Sequence, residues 1–189
     1  MTRALALCFA AAALLGCREA PPSVAAKDVP AVFDVSKAPD GPVLDEANLL
    51  TPSAEADLDA GLRDWFDRTG TPLVVVIVKS LEGQTIERVA FETFNSWGIG
   101  TPEGGDGLLL LVAPRERKVR IEVGCSLERV MTNHRAAGII REDITPHFRA
   151  GRMEAGIVTG AEAIMATTDT YRAEAGPSLS PLCNEKKAA

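Results

Sequence analysis

Apolar and polar positions follow two different periods along this chain, and the plainest stretch is at its centre. Leu108 to Val112 is an unbroken apolar run, which predicts a strand covered on both faces. Lys118 to Val123 alternates instead, with Val119, Ile121 and Val123 on one side and Lys118, Arg120 and Glu122 on the other. Between them stand Pro114, Arg115, Glu116 and Arg117, where proline cannot donate a ladder hydrogen bond and a turn must go. A link this short makes the two strands an antiparallel hairpin.

The flanks carry the helical period. Thr51-Pro52 reads as a capped helix start, Leu58, Leu62, Trp65 and Phe66 share one face, and Gly70 and Pro72 end the run. Leu73 to Val78 is β-branched and almost wholly apolar, which predicts a central strand. A second helix is expected from Thr85 to Trp97, burying Ile86, Val89, Ala90, Phe94 and Trp97. A third starts near Thr132 or Asn133, buries Ala137, Ile140 and Ile144, and should break or kink at Pro146. A fourth follows Gly151 with Ile157, Ala161, Ile164, Met165 and Thr168 on one face. Val43, Leu44, Leu49 and Leu50 should dock on the domain edge. Helices before, between and after the strands imply an α/β fold: a three-layer α/β/α sandwich whose mixed central sheet contains one antiparallel hairpin.

The two ends read differently. Arg3 precedes an apolar stretch from Ala4 to Leu15 that is too short to span a bilayer, and it ends in Leu14-Leu15-Gly16-Cys17. This resembles the lipobox of bacterial lipoproteins, which implies cleavage after residue 16 and a lipid on Cys17. Residues 1–16 are then a signal peptide, and 17–42, rich in Ala and Pro, a flexible tether. Residues 43–168 form the domain, and 169–189 are expected to be a loosely ordered tail. The chain would sit in the bacterial cell envelope, on the periplasmic side, attached to the membrane through its lipid. With Cys8 removed and Cys17 acylated, Cys125 and Cys183 are the remaining thiols and a candidate disulfide in an oxidising compartment.

Composition narrows the function classes. Apolar residues make up 46% of the 189, enough for a full core, and a formal charge of −6 argues against a nucleic-acid partner. The basic cluster of Arg115, Arg117, Lys118 and Arg120 reads as a solvated hairpin end in preference to a phosphate or membrane patch. His134 and His147 stand alone, without metal-ligand spacing. Gly124-Cys125-Ser126-Leu127-Glu128 fails as a nucleophile elbow, since it ends in Glu, and Cys125 lacks the loop and terminal arginine of a cysteine phosphatase.

The segments Val43 to Leu58, Trp97 to Gly100, Asp106-Gly107 before four leucines, Arg117 to Gly124, and Ile139-Ile140 through Pro146, Phe148 and Gly151 together resemble the TPM domain family. The resemblance implies a Rossmann-like sandwich on the extracytoplasmic side of a membrane. Relatives serve in thylakoid photosystem repair, in bacterial envelopes and as a receptor accessory; some are acid phosphatases and some bind calcium. It also implies an acidic site, of which Asp45, Asp106 and Glu128 survive here as metal-ligand candidates, expected to converge at one edge of the sheet. Ser126, Asn133, Arg152 and Gly105 stand where relatives carry other residues, the last three of them in acidic positions. Hard cations want carboxylates, so Ca²⁺ binding should be weak or absent. The expectation is therefore a binding or accessory module for a membrane complex, with a membrane-protein partner; the alternative is an acid phosphatase of low activity on small phosphomonoesters. Within the acids, Asp45 is read first as a local cap, and Asp106 equally as a ligand or a turn-former.

Overall fold

The structure, a computed structural model, describes residues 33, 38–100 and 105–175, all of them in one compact unit. The expected signal peptide, Cys17, most of the tether and Cys183 lie outside the described residues. Among the described residues no helix is long and apolar enough to cross a membrane.

Four strands form one sheet in the order β1-β2-β3-β4. Strands β1 (Val43–Asp45), β2 (Leu73–Ile77) and β3 (Leu108–Ala113) are parallel, and β4 (Lys118–Val123) is antiparallel to β3. The central hairpin is as the alternation predicts, with every residue of β3 buried. β1 is a strand that the periodicity did not announce, because three residues are too few to show one. Helix α1 (Pro52–Thr69) links β1 to β2, and α2 (Ile86–Ser96) links β2 to β3. The remaining helical elements are α3 (Asn133–Ile139), a π turn (Ile140–Ile144), α4 (Thr145–Arg149) and α5 (Met153–Ala175).

The sheet is covered on both faces, which makes the three layers expected. Val75, Ile77, Leu108, Leu110 and Val112 pack against α1, α3 and α5, and the alternate residues Val76, Val78, Leu109 and Leu111 pack against α2. The two parallel crossovers step the same way across the sheet yet leave α1 and α2 on opposite faces. They are therefore of opposite hand, and one of them departs from the right-handed rule.

Helix ends follow local chemistry. The Thr51 hydroxyl accepts from the Ala54 amide at 3.3 Å, Pro52 occupies the first turn, and Gly70 closes α1 at φ 69°. Trp65, the largest buried side chain, donates its indole N–H to Asp169 at 3.0 Å, tying α1 to α5.

Some expectations shift. Phe66 belongs to the helical stripe by spacing, but it stays 47% exposed. Ala136 and Ile139 are buried in place of Ala137 and Ile140. The π turn is the reason: its wider i→i+5 spacing puts Ile139 and Ile144 on one face and moves the stripe back by one residue. It also accommodates Pro146, which enters near the start of α4 where a missing N–H costs least, and the Thr145 hydroxyl donates to the Ile140 carbonyl at 2.6 Å. Helix α5 runs past 168 to Ala175, so the first residues of the expected tail belong to the fold: the Arg172 guanidinium donates to the Thr69 carbonyl and to the Thr71 hydroxyl, and Arg135 lies 3.4 Å over the Tyr171 ring.

Candidate functional site

The two ends of the sheet are built differently. At the amino end of β3, the glycine-rich segment 105–107 lies against the chain leaving β4. The Gly124 amide donates to the Gly107 carbonyl at 2.9 Å, and the Ser126 amide donates to the Gly105 carbonyl at 3.2 Å. A side chain at Gly124 would collide with the Gly105 carbonyl, so only glycine lets the two backbones approach this closely. Cys125 to Leu127 then form a single 3₁₀ turn that Glu128 ends. Asp106 and Glu128 are both half-buried here and both hold interactions with their surroundings. Cys125 is disulfide-bonded, and its expected partner, Cys183, lies outside the described residues.

Asp45 sits at the other end. It closes β1 opposite Ile77, which pairs with Val112, whereas Asp106 precedes Leu108 by two residues. Six residues of strand rise separate the two levels, about 20 Å. Asp45 Oδ1 accepts from the Ala47 amide at 3.1 Å, and Oδ2 accepts from the Leu49 and Leu50 amides at 2.6 and 2.7 Å. The carboxylate thereby holds a turn that needs a left-handed Asn48 at φ 53°. The expected convergence of Asp45, Asp106 and Glu128 at one edge is thus corrected: strand direction puts the first at the opposite end from the other two. Ca²⁺ takes about six to eight oxygens at 2.3–2.6 Å, and the three carboxylates do not fit it as a set. Among the described residues no group of three or more His, Cys, Asp and Glu side chains lies together.

The carboxyl end of β3 carries a concave surface. A cavity of about 690 Å³ opens beside the hairpin turn, with Val119, Phe148 and Met153 as apolar wall and Arg117, Lys118 and Arg149 as cations around it. Among the described residues no acidic side chain lines it. All three cations are exposed, and none has an ion pair among the described residues, where Arg63, Arg88, Arg120 and Arg141 do. The turn that presents Arg117 is fixed from both sides. Its amide donates to the Pro114 carbonyl at 3.1 Å, and its φ of 56° is left-handed, uncommon for a residue with a side chain. Within the same turn Glu116 Oε1 accepts from the Ser80 hydroxyl at 2.6 Å and the Leu81 amide at 3.0 Å. Burial pushes the Glu116 carboxyl up, but those hydrogen bonds and Arg115 outweigh it and hold it below the usual carboxylate range.

A family model, that of the TPM domain, matches residues 43–167. The chain belongs to the TPM domain family. No curated protein matches it. Among solved structures, the N-terminal domain of a P. gingivalis protein is 29% identical, with a TM-score of 0.64 over 68% of this chain and 82% of that one. The BA42 protein of the psychrophilic bacterium Bizionia argentinensis is 19% identical, with a TM-score of 0.58 over 67% of this chain and 86% of that one. An N-terminal domain from Corynebacterium glutamicum is 18% identical, with a TM-score of 0.54 over 75% and 89%. At those identities the last two speak for the fold alone.

In this TPM domain the sequence-derived candidates therefore divide. Asp45 is a backbone clamp, and Asp106 and Glu128 share the glycine-rich end. Arg149, Phe148 and Met153 were not legible as site residues. They reach the cavity from α4 and α5, far from the hairpin in sequence, and only the packing of those helices beside β4 joins them to the basic turn.

Proposed function

We propose that the chain is a lipid-anchored protein of the bacterial cell envelope, on the periplasmic side, whose TPM domain is a binding or accessory module for a membrane complex. The observation that carries this reading is the cavity at the carboxyl end of β3, where an apolar wall meets three cations that have no partner among the described residues. Volumes of about 300–1,000 Å³ suit small ligands or anchoring side chains, and unpaired charges at a rim steer and orient a partner. Lipid on Cys17 supplies the attachment.

The competing activity is acid phosphatase turnover, and among the described residues it has no carboxylate cluster to work with: Asp45 accepts from three amides, remote from Asp106. Release of phosphate from p-nitrophenyl phosphate at acidic pH, with and without Ca²⁺, tests the choice. No turnover above buffer is expected. Turnover that disappears in Asp106→Ala would replace the binder with an enzyme. For the anchor, Cys17→Ala should move the protein from membranes to the soluble envelope fraction, and an unmodified N-terminus elsewhere by mass spectrometry would contradict it.

A further inference from the structure

The open side of the cavity adjoins an open edge of the sheet. β4 is the outermost strand in the order β1-β2-β3-β4, so among the described residues its outer edge has no strand partner. Such an edge presents unpaired amides and carbonyls to any extended chain. Val119 of that strand is also part of the cavity wall, with Phe148 and Met153 facing it from α4 and α5. A strand laid along β4 would send alternate side chains toward the wall and its neighbour Arg149, and the others to the face that carries Lys118, with Arg117 at the hairpin turn.

The charges choose the occupant. Three exposed cations surround the cavity, and among the described residues no acid lines it. The protein as a whole is acidic, with a formal charge of −6, so this is a local reversal of its field. Two anionic surfaces could answer it, a partner polypeptide and the headgroups of a membrane. The sheet edge separates them: only a polypeptide carries the amides and carbonyls that can pair with β4 beside the cavity.

We propose that the β4 edge and its cavity dock an extended acidic segment of a partner protein, in which apolar and acidic side chains alternate. Main-chain pairing with β4 supplies affinity, the wall of Val119, Phe148 and Met153 takes the apolar side chains, and Arg117, Lys118 and Arg149 select the acidic ones. This rests on the binding-module reading and assigns that module its site and the chemistry of its partner.

The test uses the full chain with Cys17→Ala, so that lipid does not confound binding to vesicles. A fluorescein-labelled Glu-Val-Asp-Leu-Glu-Val peptide is titrated by fluorescence anisotropy, against a Lys-Val-Lys-Leu-Lys-Val control and phosphatidylglycerol vesicles in flotation. The acidic peptide should bind and weaken as salt rises. Its affinity should fall roughly tenfold or more in Arg117→Glu/Arg149→Glu and be kept in Arg117→Lys/Arg149→Lys. An unchanged circular-dichroism melt shows that the reversed variant is folded. Equal binding of the two peptides, indifference to charge reversal, or capture by vesicles in place of the acidic peptide would each overturn the proposal. Cross-linked capture from envelopes separates the two levels. A membrane protein captured undiminished by the reversed variant keeps the binding module and removes this site, whereas capture of nothing by the wild type removes the module itself.

Discussion

Replacing Asp45 separates a structural carboxylate from a ligand. Its two oxygens accept three backbone amides, those of Ala47, Leu49 and Leu50, and Leu50 is buried at 8% exposure. In Asp45→Ala the amides lose all three bonds, and the half-buried turn can rehydrate only in part. Hydrogen bonds to a charged acceptor are worth about 1.5–3 kcal/mol each, less where water can replace them, so a total loss of about 2–4 kcal/mol is expected. For a domain of this size that lowers Tm by about 10 °C. Asp45→Asn keeps one oxygen and turns an NH₂ toward the remaining amides, so its loss should be roughly half as large. Thermal melts followed by circular dichroism in EDTA, then repeated with millimolar Ca²⁺, read both effects. A ligand would show itself as a change in the Ca²⁺-induced shift with the EDTA melt unaltered. If Asp45→Ala melts within about 2 °C of wild type in EDTA, the clamp is not what holds this turn.

Other outcomes follow from local geometry. Gly124→Ala drives a methyl group into the Gly105 carbonyl and should cost about 1–3 kcal/mol in a denaturant titration, while Gly138→Ala, with open space around it, should not destabilise. If Cys125 pairs with Cys183, reduction should lower stability by about 4 kcal/mol in the chain-entropy picture; two alkylated thiols in the unreduced mature chain would exclude the bond. The Glu116 carboxyl is held below its ordinary value of 4.5 in the fold, so its contribution is present above that pH and is lost as pH falls through the folded value. Between pH 6 and about pH 3 the wild type should therefore lose more stability than Glu116→Gln, and parallel pH profiles would contradict the Ser80 and Leu81 contacts.

What the sequence made legible was whatever a short period encodes. β3 and β4 declare themselves because six residues of unbroken or alternating pattern leave one arrangement, and α1 because Thr51, Pro52 and Gly70 mark its ends. β1 was hidden by its length of three residues. The stripe of α3 was misplaced by one position, since a π turn is a change of period that apolar spacing alone does not reveal. Past 168, helix α5 is tied to the fold by contacts that no apolar period reveals: Asp169 to Trp65, Arg172 to Thr69, and Tyr171 under Arg135. The site was the least legible part. Spacing can list Asp45, Asp106 and Glu128, but only strand direction and register say that the first stands at the other end of the sheet. The cavity depends on where α4 comes to rest beside β4, which no local pattern encodes.

The most direct measurement of the binding role is cross-linked affinity capture of the anchored chain from envelopes of its own cells. A binding module should bring down a discrete membrane protein, in amounts comparable to the bait and absent from a Cys17→Ala strain in which the chain has left the membrane. Capture of no discrete partner, from a preparation that hydrolyses a phosphomonoester in an Asp106-dependent way, would contradict it.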